Sequence, residues 1–432
     1  MPDGIYDNYF DYSENGQIFQ IIYPGEDKIR HIAYDRNGRV DKIQDSCFPD
    51  QYWDMYNYDN NGNVTGISSW WGYEDFIYDD NNRLSYWGYT TLGGSTYNEQ
   101  YTYDSAGNVT QIARSSGGNS TFTYNNADQI TSAGFTYDNR GNLTYDGVNN
   151  YTYDTENRLT NVSYSGGSAT YTYYANGLRK SKSVNGTITN YHYDNFGNLV
   201  RESNSSGATK NLYCYSPQGK LLCENINGSS YFVHDNYRGD VITLTDEDGD
   251  ISAQYYYDPW GNQLTYSDSV TQPFRYAGYY YDAETGLYYC KGRYYSPRLR
   301  RFLTRDSVGN IDTGGPQTLN LYSYVGNNPV NYTDPTGEMA GALALGAVGG
   351  ALSWSPVGWV ILGVVVVGTI AYAQNNKQLN KKISGFEKQI KEHLKKLKDD
   401  PNSPYAEHWK KEIKTFEDSI KKIMERLKRK RG

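Results

Sequence analysis

One phrase recurs some thirteen times along this chain, and it limits the fold more than any other feature. Tyr34-Asp35-Arg36-Asn37-Gly38-Arg39-Val40 reads as aromatic, acid, two polar residues, glycine, polar, apolar. It returns from Tyr58, Tyr103, Tyr137 and Tyr193, with looser copies from Tyr12, Tyr78, Tyr124, Tyr153, Tyr173, Tyr215, His234 and Tyr257. Successive copies lie 13 to 25 residues apart. A short, imperfect period of this kind marks a structure built by stacking supersecondary units.

Each copy has a mechanical reading. Alternation such as Tyr101-Thr102-Tyr103 or Tyr151-Thr152-Tyr153 places two rings on one face of a strand. Asp and Asn then bond their own backbone and Gly accepts positive φ, which makes a tight turn. The Val or Leu that follows starts the return strand. One repeat is one β-hairpin, and a lone hairpin is marginal in water, so neighbours must pair edge to edge. The expected fold is mainly β: a long, coiled antiparallel sheet of hairpin repeats, followed by a C-terminal α-helical segment. The chain has 47 tyrosines, which take the place of aliphatic core residues, and each hydroxyl needs a polar partner. Such an interior suits a wall better than a dense core.

The net charge of −8 hides a division. Residues 377–432 carry 18 basic and 9 acidic residues, a net of +9, which leaves −17 for the rest. An acidic body with a basic tail faces two kinds of partner, or faces itself. The four cysteines, Cys47, Cys214, Cys223 and Cys290, lack metal-ligand spacing, and neither metal nor cofactor is expected. Cys214 and Cys223 fall in adjacent strand-like segments and could face each other, but connectivity cannot be deduced from sequence and unpaired cysteines are the preferred reading. Met1-Pro2-Asp3-Gly4-Ile5 has no basic region and no apolar h-region, so this segment is not a signal peptide. The repeats begin almost at once, without the cap a solenoid needs, so the chain is expected to be the C-terminal portion of something longer.

A different block follows the repeats of 1–265. The last repeat, Tyr257-Asp258-Pro259-Trp260-Gly261-Asn262, leads into it, and it contains Pro273-Phe274-Arg275-Tyr276-Ala277-Gly278-Tyr279 and Tyr281-Asp282-Ala283-Glu284-Thr285-Gly286-Leu287-Tyr288-Tyr289. Gly292-Arg293-Tyr294-Tyr295-Ser296-Pro297, Arg301-Phe302-Leu303-Thr304-Arg305-Asp306, an Asn-rich run from Asn320 to Pro329, and Asp334-Pro335-Thr336-Gly337 complete it. In this order the strings resemble the repeat-associated core, here 266–337, of the RHS/YD-repeat family. That family includes bacterial Rhs and wall-associated polymorphic toxins, shell subunits of insecticidal toxin complexes, and teneurins. The resemblance covers residues 1–337. It implies a β-shell closed by a core plug, a variable C-terminal toxin, an immunity protein as partner, and a secreted or cell-surface location. It further implies an aspartyl self-protease in which Arg293, Asp306 and Asp334 are catalytic and the cut falls after Gly337 or Glu338. Two close carboxylates cannot both ionise, so one serves as acid and one as base, with an arginine to orient them. Two positions depart from the family pattern: Ser307 follows Asp306 where Pro is usual, and Glu338 follows Gly337 where Leu is usual. The alternative is that both Asp residues cap turns and Arg293 pairs with them in a structural network.

The character of the chain changes at Gly337. Met339 to Asn376 contains no charged residue, and Val360 to Tyr372 approaches the length of a membrane span. Residues 338–376 are therefore read as membrane-active helices, divided at Pro356, the alternative being an apolar helical pair sequestered inside the shell without a membrane. Residues 377–432 form a basic helical hairpin by pattern, with seams from Ile383 to Leu397 and from Trp409 to Leu427. His393, His408 and Glu412 leave a nuclease reading open, with basic residues gripping phosphate, although His408 and Glu412 also make an ordinary i,i+4 pair. The effector at 338–432 is thus read as membrane-active first and nucleic-acid-directed second. A protein of another class remains: a cell-surface adhesion protein whose Tyr-rich repeats stack on the sugars of a glycan.

Overall fold

The computed structural model describes residues 9–12, 17–22, 29–46, 52–216, 219–306, 319–338, 343–344 and 414. The apolar and basic readings of 339–376 and 377–432 lie almost wholly outside those residues. The chain divides into two compact units, Met1–Glu14 with Ile18–Gly349 and Asn15–Gln17 with Gly350–Gly432. All that follows concerns the first.

Among the described residues the repeats form two antiparallel sheets in strict chain order. The first runs through eleven strands from β1 (Tyr9–Tyr12) to β11 (Ser120–Thr121), the second through fourteen from β12 (Phe135–Tyr137) to β25 (Gln263–Asp268). Most repeat turns are organised by an Asp, and Asn125, Ser216 and Asn236 take its place in other copies. The Asp35 carboxylate accepts the N–H groups of Asn37 and Arg39 at 2.8 and 2.9 Å and the Arg39 Nε at 2.7 Å. Asp59, Asp79, Asp154 and Asp194 do the same in their own repeats. Partial burial pushes the Asp35 carboxyl up, but the Arg39 and Asn37 donors outweigh it and hold it below the usual carboxylate range.

The repeat tyrosine sits at a β-bulge. Tyr34 pairs with Val40 and Tyr58 with Val64, each with a register shift just before the ring. Its hydroxyl then reaches back one hairpin. Tyr58 donates to the Val40 carbonyl at 2.6 Å, Tyr78 to Val64 at 2.6 Å, Tyr103 to Leu84 at 2.6 Å, and Tyr153 to Leu143 at 2.8 Å. The aliphatic residue that ends one phrase is buried, and its carbonyl is bonded by the tyrosine that opens the next. The ladder joins neighbouring repeats by a bond more directional than hydrophobic contact.

One feature corrects the sequence reading, and a second lay outside it. Cys214 and Cys223 are joined as a disulfide, not unpaired: they stand directly opposite in adjacent strands with Cα atoms 5.2 Å apart, within bridging reach. Arg179 occupies the position where most copies place Val or Leu. It is fully buried, paired with Asp282 at 2.6 Å and enclosed by the rings of Tyr191, Tyr280 and Tyr289.

The block after the repeats forms a four-stranded sheet, β26 (Tyr280–Asp282), β27 (Leu287–Cys290), β28 (Arg293–Ser296) and β29 (Arg301–Phe302). Its inner rings, Tyr276, Tyr288, Tyr295 and Tyr324, are almost wholly buried. Arg298, Arg300 and Arg301 fan out to Asp146, Glu99 and the Asp128 carbonyl, each in a different hairpin. The Asn-rich run lies across the repeat turns. Asn320 bonds Asn108 at 2.7 Å, Asn327 the Gly107 carbonyl at 2.7 Å, and Asn328 the Asn82 carbonyl at 2.8 Å, while Asn331 accepts the Val64 N–H at 2.8 Å. Polar side chains that pair with fixed turn backbone set the path of this run, and it ends at Asp334.

Candidate functional site

Arg293 opens β28, and its guanidinium lies 3.6 Å above the Phe302 ring of β29, which fixes its plane. The edge of the planar fork serves four acceptors. Nε donates to the carbonyl of Gly337 and Nη1 to that of Leu321 at 3.1 Å. Nη2 meets Asp306 at 2.9 Å and Asp334 at 3.4 Å. The side chains of all three residues are at least nine-tenths buried. The arginine and the two acids chosen from the sequence are therefore brought together on a single guanidinium.

Asp306 follows β29, and its N–H donates to the Leu321 carbonyl at 2.8 Å. Asp334 begins a turn. Its Oδ1 accepts the Gly337 N–H at 2.9 Å, and its own N–H donates to the Tyr279 hydroxyl at 2.8 Å, which is in turn 2.9 Å from that of Tyr324. The turn docks on β28 through the Gly292 N–H, which donates to the Thr336 carbonyl at 2.8 Å. Gly337 has φ +67°, and a Cβ there would stand 2.5 Å from the Cys290 carbonyl oxygen. Only glycine can hold this peptide against Arg293.

Sequence reasoning passed over Tyr279, Gly292 and Cys290 as parts of this site. Gly292 and Cys290 flank the Arg293 motif closely enough to have been suspected, whereas Tyr279 is 55 residues from Asp334 and carries no local signal. Burial, and then the charge of Asp334, pushes the Cys290 thiol well up, which leaves it protonated and inert. A cavity of about 260 Å³ lies behind the turn, with Tyr279, Lys291 and Pro335 in its wall. No group of His, Cys, Asp and Glu that could hold a metal ion occurs among the described residues. The arrangement offers an oriented cation on a peptide carbonyl with two carboxyl groups beside it, the equipment for acid–base attack on that carbonyl.

A family model described as the teneurin YD-shell matches residues 88–330. The tRNA3(Ser)-specific nuclease WapA of Bacillus spizizenii is 39% identical over 221 residues, 50% of this chain and 9% of that protein. Toxin protein Tse5 of Pseudomonas aeruginosa is 36% identical over 116 residues, 27% of this chain and 8% of that one. The chain thus spans less than a tenth of the length of either relative. The Tc holotoxin pore of Photorhabdus luminescens superposes with a TM-score of 0.65 at 23% identity, over 78% of this chain and 19% of the other, which is a likeness of fold.

Proposed function

This chain belongs to the YD-shell family, and on that premise we propose that it is the shell-and-plug portion of a polymorphic-toxin-type protein that cuts its own chain after Gly337. Residues 338–432 are the effector so released, and an immunity protein is its partner. The reading is carried by one observation: the Gly337 carbonyl accepts from Arg293 Nε while Asp306 and Asp334 share the Nη2 of the same side chain. This favours the bond after Gly337 over the next one.

The chemistry follows from the residues. The reaction needs one carboxyl ionised as base and the other protonated as acid, the division of labour that paired carboxyls can supply. The ionised one takes a proton from water, and the water oxygen bonds to the Gly337 carbon. Arg293 holds the oxygen that gains charge. The protonated carboxyl gives its proton to the Glu338 nitrogen as the C–N bond breaks. Water is consumed, and a carboxyl at Gly337 and an amine at Glu338 result. Intact mass of the purified 432-residue chain tests this: two fragments divided at 337/338 are expected, and Asp334→Asn and Asp306→Asn should remain whole. Finding only uncut wild-type chain, at every pH tried, removes the reading.

The effector is membrane-directed in this reading because 339–376 holds no charged residue. Among the described residues no helix is long and apolar enough to cross a membrane, and this run lies outside them. Expression of 338–432 should cause leakage and arrest growth, and deletion of 340–373 should abolish both. Arrest that survives the deletion points to the nucleic-acid-directed alternative, which the net charge of +9 in 377–432 supports. A harmless tail would favour the glycan-binding alternative.

A further inference from the structure

We propose that the cavity behind the Asp334 turn is a binding site for a small apolar monocarboxylate, whose carboxylate takes an unserved edge of Arg179. The site is independent of self-cleavage: it uses other residues and is read by binding alone.

Arg179 carries the argument. It is fully buried where most copies place an aliphatic residue. Its Nη1 donates to Asp282 at 2.6 Å and to the Tyr294 hydroxyl at 3.2 Å. Nε and Nη2, which share one edge of the plane, have no hydrogen-bond partner among the described residues. The rings of Tyr191, Tyr280 and Tyr289, 4.5 to 4.7 Å from Cζ, attract the charge but supply no oxygen to that edge. Asp282 is shared with Lys182 at 2.8 Å, so it does not answer Arg179 alone. Buried charged donors without acceptors are costly, and two parallel N–H groups on one edge are what a carboxylate meets with both oxygens.

The cavity supplies the rest of the site. Arg179, Tyr280 and Tyr289 belong to its wall, and Leu199, Leu221, Val233 and Phe274 add apolar carbon. The wall's tyrosine hydroxyls are already engaged. Tyr193 and Tyr215 donate to the Arg179 and Leu199 carbonyls, both at 2.9 Å, and Tyr289 accepts the Arg179 N–H at 2.8 Å. The rings therefore offer carbon to a ligand, which selects an apolar body over a sugar acid. The charged residues of the wall are Arg179, Lys220, Lys291 and Asp235, three cations to one acid. Asp235 is held by Arg30 at 2.6 Å and Lys220 at 2.8 Å. Lys291 forms the turn between β27 and β28 at φ +61°, and its Nζ lies 4.0 Å from where a Cβ on Gly197, another wall residue, would stand. An anion is thus favoured in the cavity as a whole as well as at Arg179. At about 30 Å³ for each water-sized group, 260 Å³ takes a body on the order of ten non-hydrogen atoms, the size of 3-phenylpropanoate or octanoate.

The test titrates the full-length chain by calorimetry, beside melting curves, with three probes at matched salt near neutral pH. They are 3-phenylpropanoate, its uncharged amide, and gluconate, a polar carboxylate of similar size. The first should saturate one site and raise the melting temperature, and the other two should bind at least about tenfold more weakly. Arg179→Leu restores the residue type of other copies and leaves Asp282 on Lys182. It should bind the carboxylate no better than the amide. Leu221→Trp, at a half-buried wall position, fills the cavity and should lose 3-phenylpropanoate while melting near wild type. Should Arg179→Leu not fold, the wild-type preference for carboxylate over amide, lost in Leu221→Trp, supports the site by itself. Equal binding of carboxylate and amide overturns it, and so does a carboxylate that Arg179→Leu or Leu221→Trp holds as tightly as wild type. Absence of saturable binding up to millimolar 3-phenylpropanoate overturns it too. Cleavage, scored by mass in the same samples, stands or falls separately.

Discussion

Replacing Arg293 by Lys keeps the positive charge and removes the fork. In the structure one planar group serves the Gly337 and Leu321 carbonyls, Asp306 and Asp334 at once. A lysine ammonium gathers three donors at one point and cannot lie in plane across those four acceptors. Its charge still offsets the two carboxylates, so the fold should lose only ~1–2 kcal/mol for the weakened hydrogen bonds. Arg293→Met would instead leave the Asp334 side chain, 1% exposed, without its cation at a cost of about 3–5 kcal/mol. Cleavage should suffer more than stability. Loss of a preorganised donor on an oxygen that gains charge costs about 10²–10³ in rate, some 3–4 kcal/mol. The assay is the first-order rate of appearance of the fragment starting at Glu338, measured by intact mass beside a melting curve of the same sample. An Arg293→Lys chain that melts near wild type and cuts within about tenfold of it would show that the fork is not what the reaction uses.

Gly337→Ala should melt lower by at least ~1–2 kcal/mol from left-handed strain alone, and should not cut, because its Cβ would meet the Cys290 carbonyl at 2.5 Å; a variant that melts and cuts as wild type refutes this docking. Tyr153→Phe removes one rung of the hydroxyl ladder, the 2.8 Å bond to the Leu143 carbonyl, and should lower stability by ~1 kcal/mol in a denaturant titration. Glu224 is 1% exposed, with both carboxyl oxygens lacking a hydrogen-bond partner among the described residues, and burial and then Glu202 push it up to about 8. Its folded form favours the proton, so its contribution is whole below the unfolded value near about 4.3 and is lost as pH rises toward the folded one. Melting temperatures should therefore fall between those limits, and Glu224→Gln should flatten that fall.

Legibility in the sequence followed the reach of the interactions. The Asp35 carboxylate bonds residues two and four positions on, so Asp-x-x-Gly states the turn outright. The buried Val40, Val64 and Leu84 follow from the phrase by position. The bulge at each repeat tyrosine did not show, because alternation of apolar and polar residues carries no mark of one extra residue in a strand. The Cys214–Cys223 bridge did not show either, because sequence places the two in adjacent strands without fixing that they stand directly opposite. Arg179 drew no reading from the sequence, because its partner, Asp282, comes 103 residues later.

The sequence by itself determined the unit, its order and its end: thirteen turns whose bonds close within a few residues, a Tyr-rich wall, and a change of character at Gly337. The tertiary structure alone decided where each tyrosine hydroxyl goes, which turns the Asn-rich run grips, and that Gly337 rests on Arg293, 44 residues away in the chain. The cause is physical. Turn chemistry is satisfied by neighbours in sequence, so the residues spell it. A guanidinium or a hydroxyl is satisfied by whichever acceptor the stacked hairpins bring within three ångströms or so, and only the assembled sheets supply that address.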